Sequence, residues 1–150
     1  GVGSVVNLGD DSISTHPADD LNSISLDTGP YPLFPTDLQA QFMSVLILAG
    51  GTSKIVENVF PNRFIHVAEL RKLGAKISLD ANIASIVGVR GLTRASMQAS
   101  DLRASASLLI GALSASGRSE IHRVYHLDRG YESIDNKLES LGAKIWRKNE

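Results

Sequence analysis

The sequence lacks cysteine, so a disulfide framework, a thiol nucleophile and a cysteine-based metal site are excluded within these residues. It also lacks an excess of either charge: the net charge is −1 and the pI is about 6.5, which provides no overall field to attract nucleic acid or an anionic membrane. No apolar run is long enough to span a bilayer. We therefore expect neither nucleic acid nor a membrane as a partner, and a cytoplasmic location fits this composition.

The chain does have apolar residues and an internal repeat. Hydrophobic residues make up 43% of its 150 residues, which is enough for a folded core. The segment "LRKLGAKI" (70–77) returns as "LESLGAKI" (138–145), 68 residues later. The pair Asp37-Leu38 returns as Asp101-Leu102, 64 residues later. Because these offsets differ by only a few residues, the sequence predicts two copies of one unit with small loop insertions.

Each copy shows the same order of predicted elements. Alternating apolar residues predict strands, and longer segments with apolar residues three and four apart predict helices. For the first copy this gives strands over 23–27 and 53–60, a helix that starts near Thr36 and a helix over about 64–73, followed by a hairpin. For the second copy it gives strands over 95–100 and 119–126, a helix that starts near Ser100, a helix over about 131–141 and a last strand, "AKIWR". The unit is therefore predicted to be βαβαββ.

This order predicts an α/β fold of repeated βαβαββ units, with buried helices and the sheets outside. Residues 23–94 form a full unit, and residues 95–150 form a second, truncated unit. Residues 1–22 look like the end of a preceding unit, and its hairpin is expected within residues 1–15. The length of the chain, 1–150, suits one domain or a piece of a larger one. Thr36 is expected to cap the first helix in a capping box, and Ser100 the second.

Two acidic residues stand at the predicted helix starts. Asp37 follows the loop "DTGPYPLFPTD" (27–37), whose three prolines hold it in a fixed place, and Asp101 is its counterpart in the second copy. Either residue could simply stabilise the helix dipole, which is worth about 0.3–1 kcal/mol. Alternatively, each could present a carboxylate to a shared cleft, as a base or as an acceptor for a hydroxyl group. The position alone leaves both interpretations open.

Three arginines occupy related places. Arg63 and Arg129 lie at equivalent corners between a strand and the shorter helix, and Arg103 lies one turn into an apolar helix. A surface charge is the simpler interpretation for an arginine in a loop. As a group, however, three guanidinium forks at one end of the fold would bind carboxylate or phosphate. The four histidines show no spacing typical of a zinc site, so no metal is expected.

Four segments resemble one known family. They are "FPTDLQAQF" (34–42), "ENVFPNRFIHVAEL" (57–70), "SDLRASASL" (100–108) and "HLDRGYESIDNKLESLGAKI" (126–145). They are similar to the UDP-N-acetylglucosamine 1-carboxyvinyltransferase family of enolpyruvyl transferases. The resemblance covers residues 30–150, whereas residues 1–29 fit by pattern only. It implies an inside-out α/β fold of two domains, each of three such units, which close on the substrates. It also implies that residues 1–150 are the C-terminal part of one of these domains.

The resemblance also implies an activity and roles for particular residues. Such an enzyme adds the 3-hydroxyl of UDP-N-acetylglucosamine to C2 of phosphoenolpyruvate and then eliminates phosphate, in the first committed step of peptidoglycan synthesis. No cofactor is implied. Asp37 would contact the attacking hydroxyl as its base, and Val59 would contact the nucleotide sugar through its backbone. The remaining implied substrate-binding residues line the cleft, with the last of them in the phosphoenolpyruvate pocket: Arg63, Asp101, Arg103 and Arg129.

The same resemblance marks what these residues do not include. In the family, the other domain carries the cysteine or aspartate that protonates the methylene carbon, and most of the uridine contacts. The implied partners are therefore UDP-N-acetylglucosamine, phosphoenolpyruvate and the missing N-terminal half of the enzyme, and the chain alone is expected to be inactive. A non-catalytic α/β fragment or paralogue that binds a sugar nucleotide is the alternative.

Overall fold

A computed structural model describes residues 2–16 and 20–148. The expectations that fall on Gly1, on 17–19 and on 149–150 lie outside the described residues. The chain begins with an antiparallel hairpin of β1 (Val5–Leu8) and β2 (Ile13–His16), as expected for its N-terminal residues. All eight residues of these two strands are exposed. That this hairpin ends a preceding unit stays a prediction.

The first unit contains the predicted βαβαββ order. Its elements are β3 (Ser25–Asp27), α1 (Gln39–Leu46), β4 (Thr52–Val56), α2 (His66–Lys72), β5 (Lys76–Asp80) and β6 (Ile83–Val87). The four strands form one sheet in the order β3-β4-β6-β5, in which β3 and β4 are parallel and the other pairs are antiparallel. Strands β5 and β6 form a tight hairpin because Ala81 adopts a positive φ of 50° between them.

The second unit repeats the first part of this order. It is preceded by β7 (Leu92–Thr93), which lies within residues 23–94, and its own elements are β8 (Ser96–Gln98), α3 (Leu102–Leu113), β9 (Ala115–Ser116), β10 (Glu120–His122), α4 (Tyr125–Asp128) and α5 (Ile134–Ser140). Strands β8 and β10 pair in parallel, as β3 and β4 do in the first unit, and β7 pairs in parallel with β9. The repeat of the sequence is therefore also a repeat of the strand pairing.

Two predictions for the second unit were wrong. The strand predicted over 119–126 ends at His122, because Arg123 adopts a positive φ of 60° and the helix α4 follows. The segment "AKIWR" forms no strand. Its counterpart β5 is paired with β6, and within the described residues no strand follows 143–147 to pair with it in the same way.

Glycine ends the shorter helix in both units. Gly74 follows α2 with a φ of 97°, and Gly142 follows α5 with a φ of 96°. A residue with a side chain is strained in this left-handed conformation, so glycine is the favoured residue after the end of a helix. The glycine of the repeated "LGAKI" is therefore explained by the left-handed backbone conformation at the end of each helix.

The longer helices α1 and α3 pack against each other at the centre. Met43, Leu46 and Leu108 are fully buried there, and the Ser44 hydroxyl donates to the Ser107 carbonyl oxygen at 2.8 Å across the helix contact. The sheets lie outside this pair, as the sequence predicts. This packing therefore places the start of α1, in the first unit, near the start of α3, in the second unit.

Candidate active site

The start of α1 differs from the predicted capping box. Thr36–Leu38 forms a 3-10 turn, and α1 begins only at Gln39. The Thr36 hydroxyl donates to Oε2 of Glu57 at 2.9 Å, and the side chain of Gln39 is buried with no hydrogen-bond partner in the described part of the chain. Since Glu57 occupies the Thr36 hydroxyl, no reciprocal cap forms, and Asp37 lies in the turn before the helix.

The start of α3 is capped by a different residue from the one predicted. Asp101, and not Ser100, is the N-cap, since its Oδ1 accepts hydrogen bonds from the backbone N–H groups of Arg103 and Ala104, each at 2.9 Å. The Ser100 hydroxyl lies 3.3 Å from Oδ2 of Asp101. The two aspartates of the repeat therefore differ: Asp101 caps a helix, whereas the carboxylate of Asp37 caps none.

Three predicted site residues meet at one carboxylate oxygen. Oδ1 of Asp37 lies 2.6 Å from Nη2 of Arg103 and 3.2 Å from Nη1 of Arg63. Arg103 comes from the first turn of α3 in the second unit, and Arg63 comes from the loop before α2 in the first unit. We call Asp37, Arg63 and Arg103 the Asp37 cluster. Its members come from both units, and the packing of α1 against α3 brings them together.

The arginines set the charge state of Asp37. The hydrogen bond from Arg103 is the main reason why the pKa of Asp37 lies below its usual value; partial desolvation opposes this effect, and the charges of Arg103 and Arg63 add to it. The same hydrogen bond raises the pKa of Arg103. At neutral pH the cluster therefore holds one carboxylate and two guanidinium groups, an excess of positive charge that suits an anionic ligand.

The loop between β4 and α2 carries Val59 and Arg63. The backbone N–H of Val59 donates to Oε1 of Glu57 at 2.9 Å, and the side chain of Val59 is partly exposed. The guanidinium group of Arg63 lies 3.9 Å from the ring centroid of Phe60, which gives a cation–π contact. Arg63 is thus held by a ring on one side and by Thr36 and Asp37 on the other.

Arg129 is not a member of the Asp37 cluster. It follows α4, is exposed, and has no ion pair within the described residues. It lines an open pocket of about 720 Å³ together with Tyr131 and the ion-paired Asp128 and Arg147. The next residue, Gly130, packs against the side chain of Leu102 in the first turn of α3. Arg129 is therefore at the same end of α3 as Asp101 and Arg103.

The sequence analysis missed Glu57. This residue is fully buried, and its carboxylate accepts four hydrogen bonds, from Thr28, Thr36, Val59 and Phe60. The repeat gives no signal for it, because the counterpart of "SKIVE" (53–57) is "SEIHR" (119–123), which ends in an arginine. An acidic residue at the end of an apolar strand is the one local sign that could have drawn attention to it.

His66 is a buried titratable group at the start of α2. It is 2% exposed, and its Nε2 has no hydrogen-bond partner among the residues that the structure describes. Burial lowers the pKa of His66 to about 4, against the opposing charge of Asp101. Since the folded state holds this imidazole neutral, protonation of His66 favours unfolding.

We expect acid to destabilise the protein through His66. Between pH 6.5 and pH 4 the unfolded state binds more protons than the folded state, so the free energy of unfolding falls as the pH falls through this window, by about 1–3 kcal/mol. Urea unfolding at pH 7.5, 6 and 5 measures this loss. In His66→Gln the free energy of unfolding should depend less on pH. In His16→Gln, on the exposed strand β2, it should depend on pH as in the wild type. An equal pH dependence in His66→Gln and the wild type would contradict this assignment.

The described residues restrict other kinds of site. Within residues 2–16 and 20–148, no three histidine, aspartate or glutamate side chains are placed to hold a metal ion. None of the helices in this part of the chain is long and apolar enough to cross a membrane. The Asp37 cluster and the neighbouring Arg129 therefore remain the main candidate for a site.

Known proteins resemble this chain over most of its length. Residues 2–138 match the family described as EPSP synthase (3-phosphoshikimate 1-carboxyvinyltransferase). A protein of Campylobacter jejuni subsp. jejuni serotype O:6 is 50% identical over 143 residues, which are 95% of this chain and 34% of that protein. A protein of Nitratiruptor sp. is 46% identical over 149 residues, which are 99% of this chain and 36% of that protein. Both are named UDP-N-acetylglucosamine 1-carboxyvinyltransferase.

Solved structures support the same family. The enolpyruvyl transferase NikO from Streptomyces tendae superposes with a TM-score of 0.89 and 31% identity over 97% of this chain and 34% of that chain. An EPSP synthase from Acinetobacter baumannii, at 14% identity and a TM-score of 0.58 over 80% of this chain and 30% of that chain, shows the fold alone. The chain spans about a third of the length of the curated relatives. It belongs to the EPSP synthase family of 1-carboxyvinyltransferases.

Proposed function

We propose that this chain is part of an enzyme that transfers the enolpyruvyl group of phosphoenolpyruvate to the 3-hydroxyl of UDP-N-acetylglucosamine, the first committed step of peptidoglycan synthesis. One observation carries the proposal: Asp37, Arg63 and Arg103, from three separate segments, meet at a single carboxylate oxygen. The curated relatives with this enzyme name are about half identical in sequence to this chain. In bacteria, such an enzyme would act in the cytoplasm and support cell-wall formation, and with it cell shape and division.

The proposed reaction needs a base and cationic groups in one place. Asp37 removes the proton of the sugar hydroxyl as its oxygen attacks C2 of phosphoenolpyruvate, and a proton from elsewhere in the protein adds to C3. The resulting intermediate then loses a proton from C3 while the C2–O bond to phosphate breaks, which restores the double bond and releases phosphate. Guanidinium groups stabilise the carboxylate and the departing phosphate throughout.

The remaining site residues take roles that follow from their positions. Arg63 and Arg103 hold the anionic groups beside Asp37, and Arg129 binds phosphoenolpyruvate from the neighbouring loop. Asp101 acts through the helix that carries Arg103, since it caps that helix. The backbone N–H of Val59 already donates to Glu57, which leaves its carbonyl oxygen as the backbone group available to the nucleotide sugar.

The rest of the protein would complete this site. The chain spans about a third of its relatives, so the proton donor for C3, the remainder of the phosphoenolpyruvate pocket and most uridine contacts are proposed to lie in the other two thirds. The hairpin of β1 and β2 fits this proposal. In the first unit β6 pairs with both β5 and β4, whereas within residues 2–16 and 20–148 β2 pairs with β1 alone, so its second edge could take a strand of a preceding unit.

Phosphate release by the full-length protein tests the function. We expect release from phosphoenolpyruvate when UDP-N-acetylglucosamine is present, with one enolpyruvyl product formed for each phosphate. Phosphoenolpyruvate alone or UDP-N-acetylglucosamine alone should give no phosphate release. A mixture of phosphoenolpyruvate and 3-phosphoshikimate should give none either. Release with 3-phosphoshikimate in place of the sugar nucleotide would contradict the proposed acceptor. Binding of UDP-N-acetylglucosamine without any release would favour the alternative, a non-catalytic sugar-nucleotide-binding paralogue.

A further inference from the structure

Glu57 is a fully buried carboxylate at the end of β4, outside the residues that the proposed reaction uses. Its Oε1 accepts from the Thr28 hydroxyl at 2.7 Å and from the backbone N–H groups of Val59 and Phe60 at 2.9 and 3.0 Å. Its Oε2 accepts from the Thr36 hydroxyl at 2.9 Å. A buried carboxylate is costly unless it is satisfied, and here four donors satisfy it.

These donors keep Glu57 ionised. Burial alone would raise the pKa of Glu57, but the hydrogen bonds from Phe60, Thr28, Val59 and Thr36 outweigh it and hold the pKa below its usual value. An ionised carboxylate accepts hydrogen bonds and donates none. Glu57 is therefore an acceptor for every group around it.

The charge of Glu57 gives a direction to the hydrogen bonds that reach Asp37. Since Glu57 can only accept, the hydrogen of the Thr36 hydroxyl points toward it, and the oxygen of Thr36 presents lone pairs to its other neighbour. That neighbour is Nη1 of Arg63, which donates to Oγ1 of Thr36 at 3.1 Å and lies 3.2 Å from Oδ1 of Asp37. One nitrogen of Arg63 is thus shared between Thr36 and Asp37.

The same carboxylate also holds Arg63 from its other side. Glu57 accepts hydrogen bonds from the backbone N–H groups of Val59 and Phe60 and so fixes the turn that they form. In this turn the backbone N–H of Arg63 donates to the Phe60 carbonyl oxygen at 2.9 Å. The Phe60 ring then lies 3.9 Å from the guanidinium carbon of Arg63. Besides its ion pair with Asp37, the Arg63 side chain has two supports, the Phe60 ring and the Thr36 hydroxyl, and both depend on Glu57.

We propose that Glu57 is a positioning residue, which aims the guanidinium group of Arg63 at Asp37 through Thr36 and the turn of Val59 and Phe60. It touches no substrate, and its effect on catalysis is indirect. The kinetic consequence rests on the proposed function, whereas the effect on the Arg63 side chain does not.

Two variants interrupt this arrangement at different points. Glu57→Gln keeps an oxygen for the three donors of Oε1 but replaces Oε2 by an amide that donates to Thr36, so the hydroxyl hydrogen of Thr36 must turn away and toward the Arg63 side. Thr36→Val removes the hydroxyl and leaves Glu57 in place. Thr36→Ser keeps the hydroxyl and should restore wild-type behaviour. Glu69→Gln is the matched control, because Glu69 also accepts a backbone N–H, from Gln98 at 2.7 Å, outside the Asp37 cluster.

The test is ¹⁵N NMR of arginine side chains in the full-length protein, with the Arg63 signal assigned from an Arg63→Lys variant. In the wild type, Thr36→Ser and Glu69→Gln, we expect slow rotation of the Arg63 guanidinium group and separate Nη signals. In Glu57→Gln and Thr36→Val we expect fast rotation and averaged signals. If the guanidinium group stays held in a folded Glu57→Gln, the proposal is wrong. If it stays held in Thr36→Val, the proposal is also wrong, because Glu57 then cannot act through the Thr36 hydroxyl.

Kinetics separate this inference from the proposed function. If the wild type releases phosphate, kcat/KM for phosphoenolpyruvate should fall about tenfold in Glu57→Gln and in Thr36→Val, as expected when a charged hydrogen bond is lost, and should be retained in Thr36→Ser and Glu69→Gln. If the wild type releases none but the Arg63 signals average as expected, the proposed function fails and the positioning role stands. Unchanged kcat/KM together with a held Arg63 overturns the positioning role alone.

Discussion

Asp37→Asn in the full-length protein should lower the turnover of phosphoenolpyruvate and UDP-N-acetylglucosamine by about 10²–10⁴-fold, the usual contribution of a general base. The amide keeps the size of the side chain and an oxygen for Arg63 and Arg103, but it cannot take the proton of the sugar hydroxyl. The stability should barely change. The Asp37 side chain is 58% exposed, and exposed ion pairs are worth about 0–1 kcal/mol.

Turnover and urea unfolding measured on the same samples check this prediction. The matched control is Asp80→Asn, at the exposed turn between β5 and β6, which should match the wild type in both measurements. Turnover of Asp37→Asn equal to that of Asp80→Asn would leave Asp37 as a surface acid that pairs with two arginines. A large loss of stability in Asp37→Asn would make the kinetic result a consequence of unfolding.

The ion pairs of Asp37 affect how it can act as a base. A carboxylate whose pKa is lowered by Arg103 and Arg63 is a weaker base than a free one. An anionic substrate that binds these two arginines would compete with Asp37 for them. The pKa of Asp37 would then rise, and the carboxylate would face the sugar hydroxyl with more of its basicity. In this account the arginines both bind phosphoenolpyruvate and couple its binding to the readiness of the base.

Arg129→Ala should weaken the binding of phosphoenolpyruvate by about ten- to a hundredfold, because a charged hydrogen-bonding fork contributes about 1.5–3 kcal/mol. The affinity for UDP-N-acetylglucosamine should change much less. The prediction rests on the position of Arg129, which is an exposed cation in an open pocket and has no ion pair within residues 2–16 and 20–148. Replacing Arg129 by alanine therefore breaks no ion pair among the described residues.

Calorimetric titration of each substrate into the full-length protein measures the two affinities. Arg118→Ala is the control, because Arg118 is another exposed arginine but is paired with Glu120 at 2.8 Å and lies outside the Asp37 cluster. It should leave both affinities as they are. If Arg129→Ala and Arg118→Ala bind phosphoenolpyruvate equally well, Arg129 is a solvated surface charge.

Most of the fold could be predicted from the sequence because its signals are local. Periodicity indicates α1, α2 and α3, and Gly74 and Gly142 mark the ends of α2 and α5. Two of the errors arose where a distant partner decides the outcome, whereas the strand predicted over 119–126 ends early because of the local backbone at Arg123. The Thr36 hydroxyl bonds to Glu57, 21 residues away, and so does not cap α1. The segment 143–147 has the pattern of β5 but lacks its neighbouring strand.

The site was predictable as a set of residues but not as an arrangement. The repeat and the family resemblance indicated Asp37, Arg63 and Arg103 one by one. The contact between Asp37 and Arg103 joins two units, and it depends on how α1 packs against α3, which no pattern within one unit specifies. Glu57 was missed because its four hydrogen bonds come from segments on both sides of it in the chain.

A crystal structure of the full-length protein with both substrates, trapped with Asp37→Asn, tests the central claim most directly. The account predicts that the 3-hydroxyl of the sugar lies within hydrogen-bond distance of the side chain at position 37 and points toward C2 of phosphoenolpyruvate. It also predicts that the carboxylate and phosphate of phosphoenolpyruvate contact Arg63, Arg103 or Arg129. Substrates bound elsewhere, with the side chain at position 37 still held by Arg63 and Arg103, would contradict it.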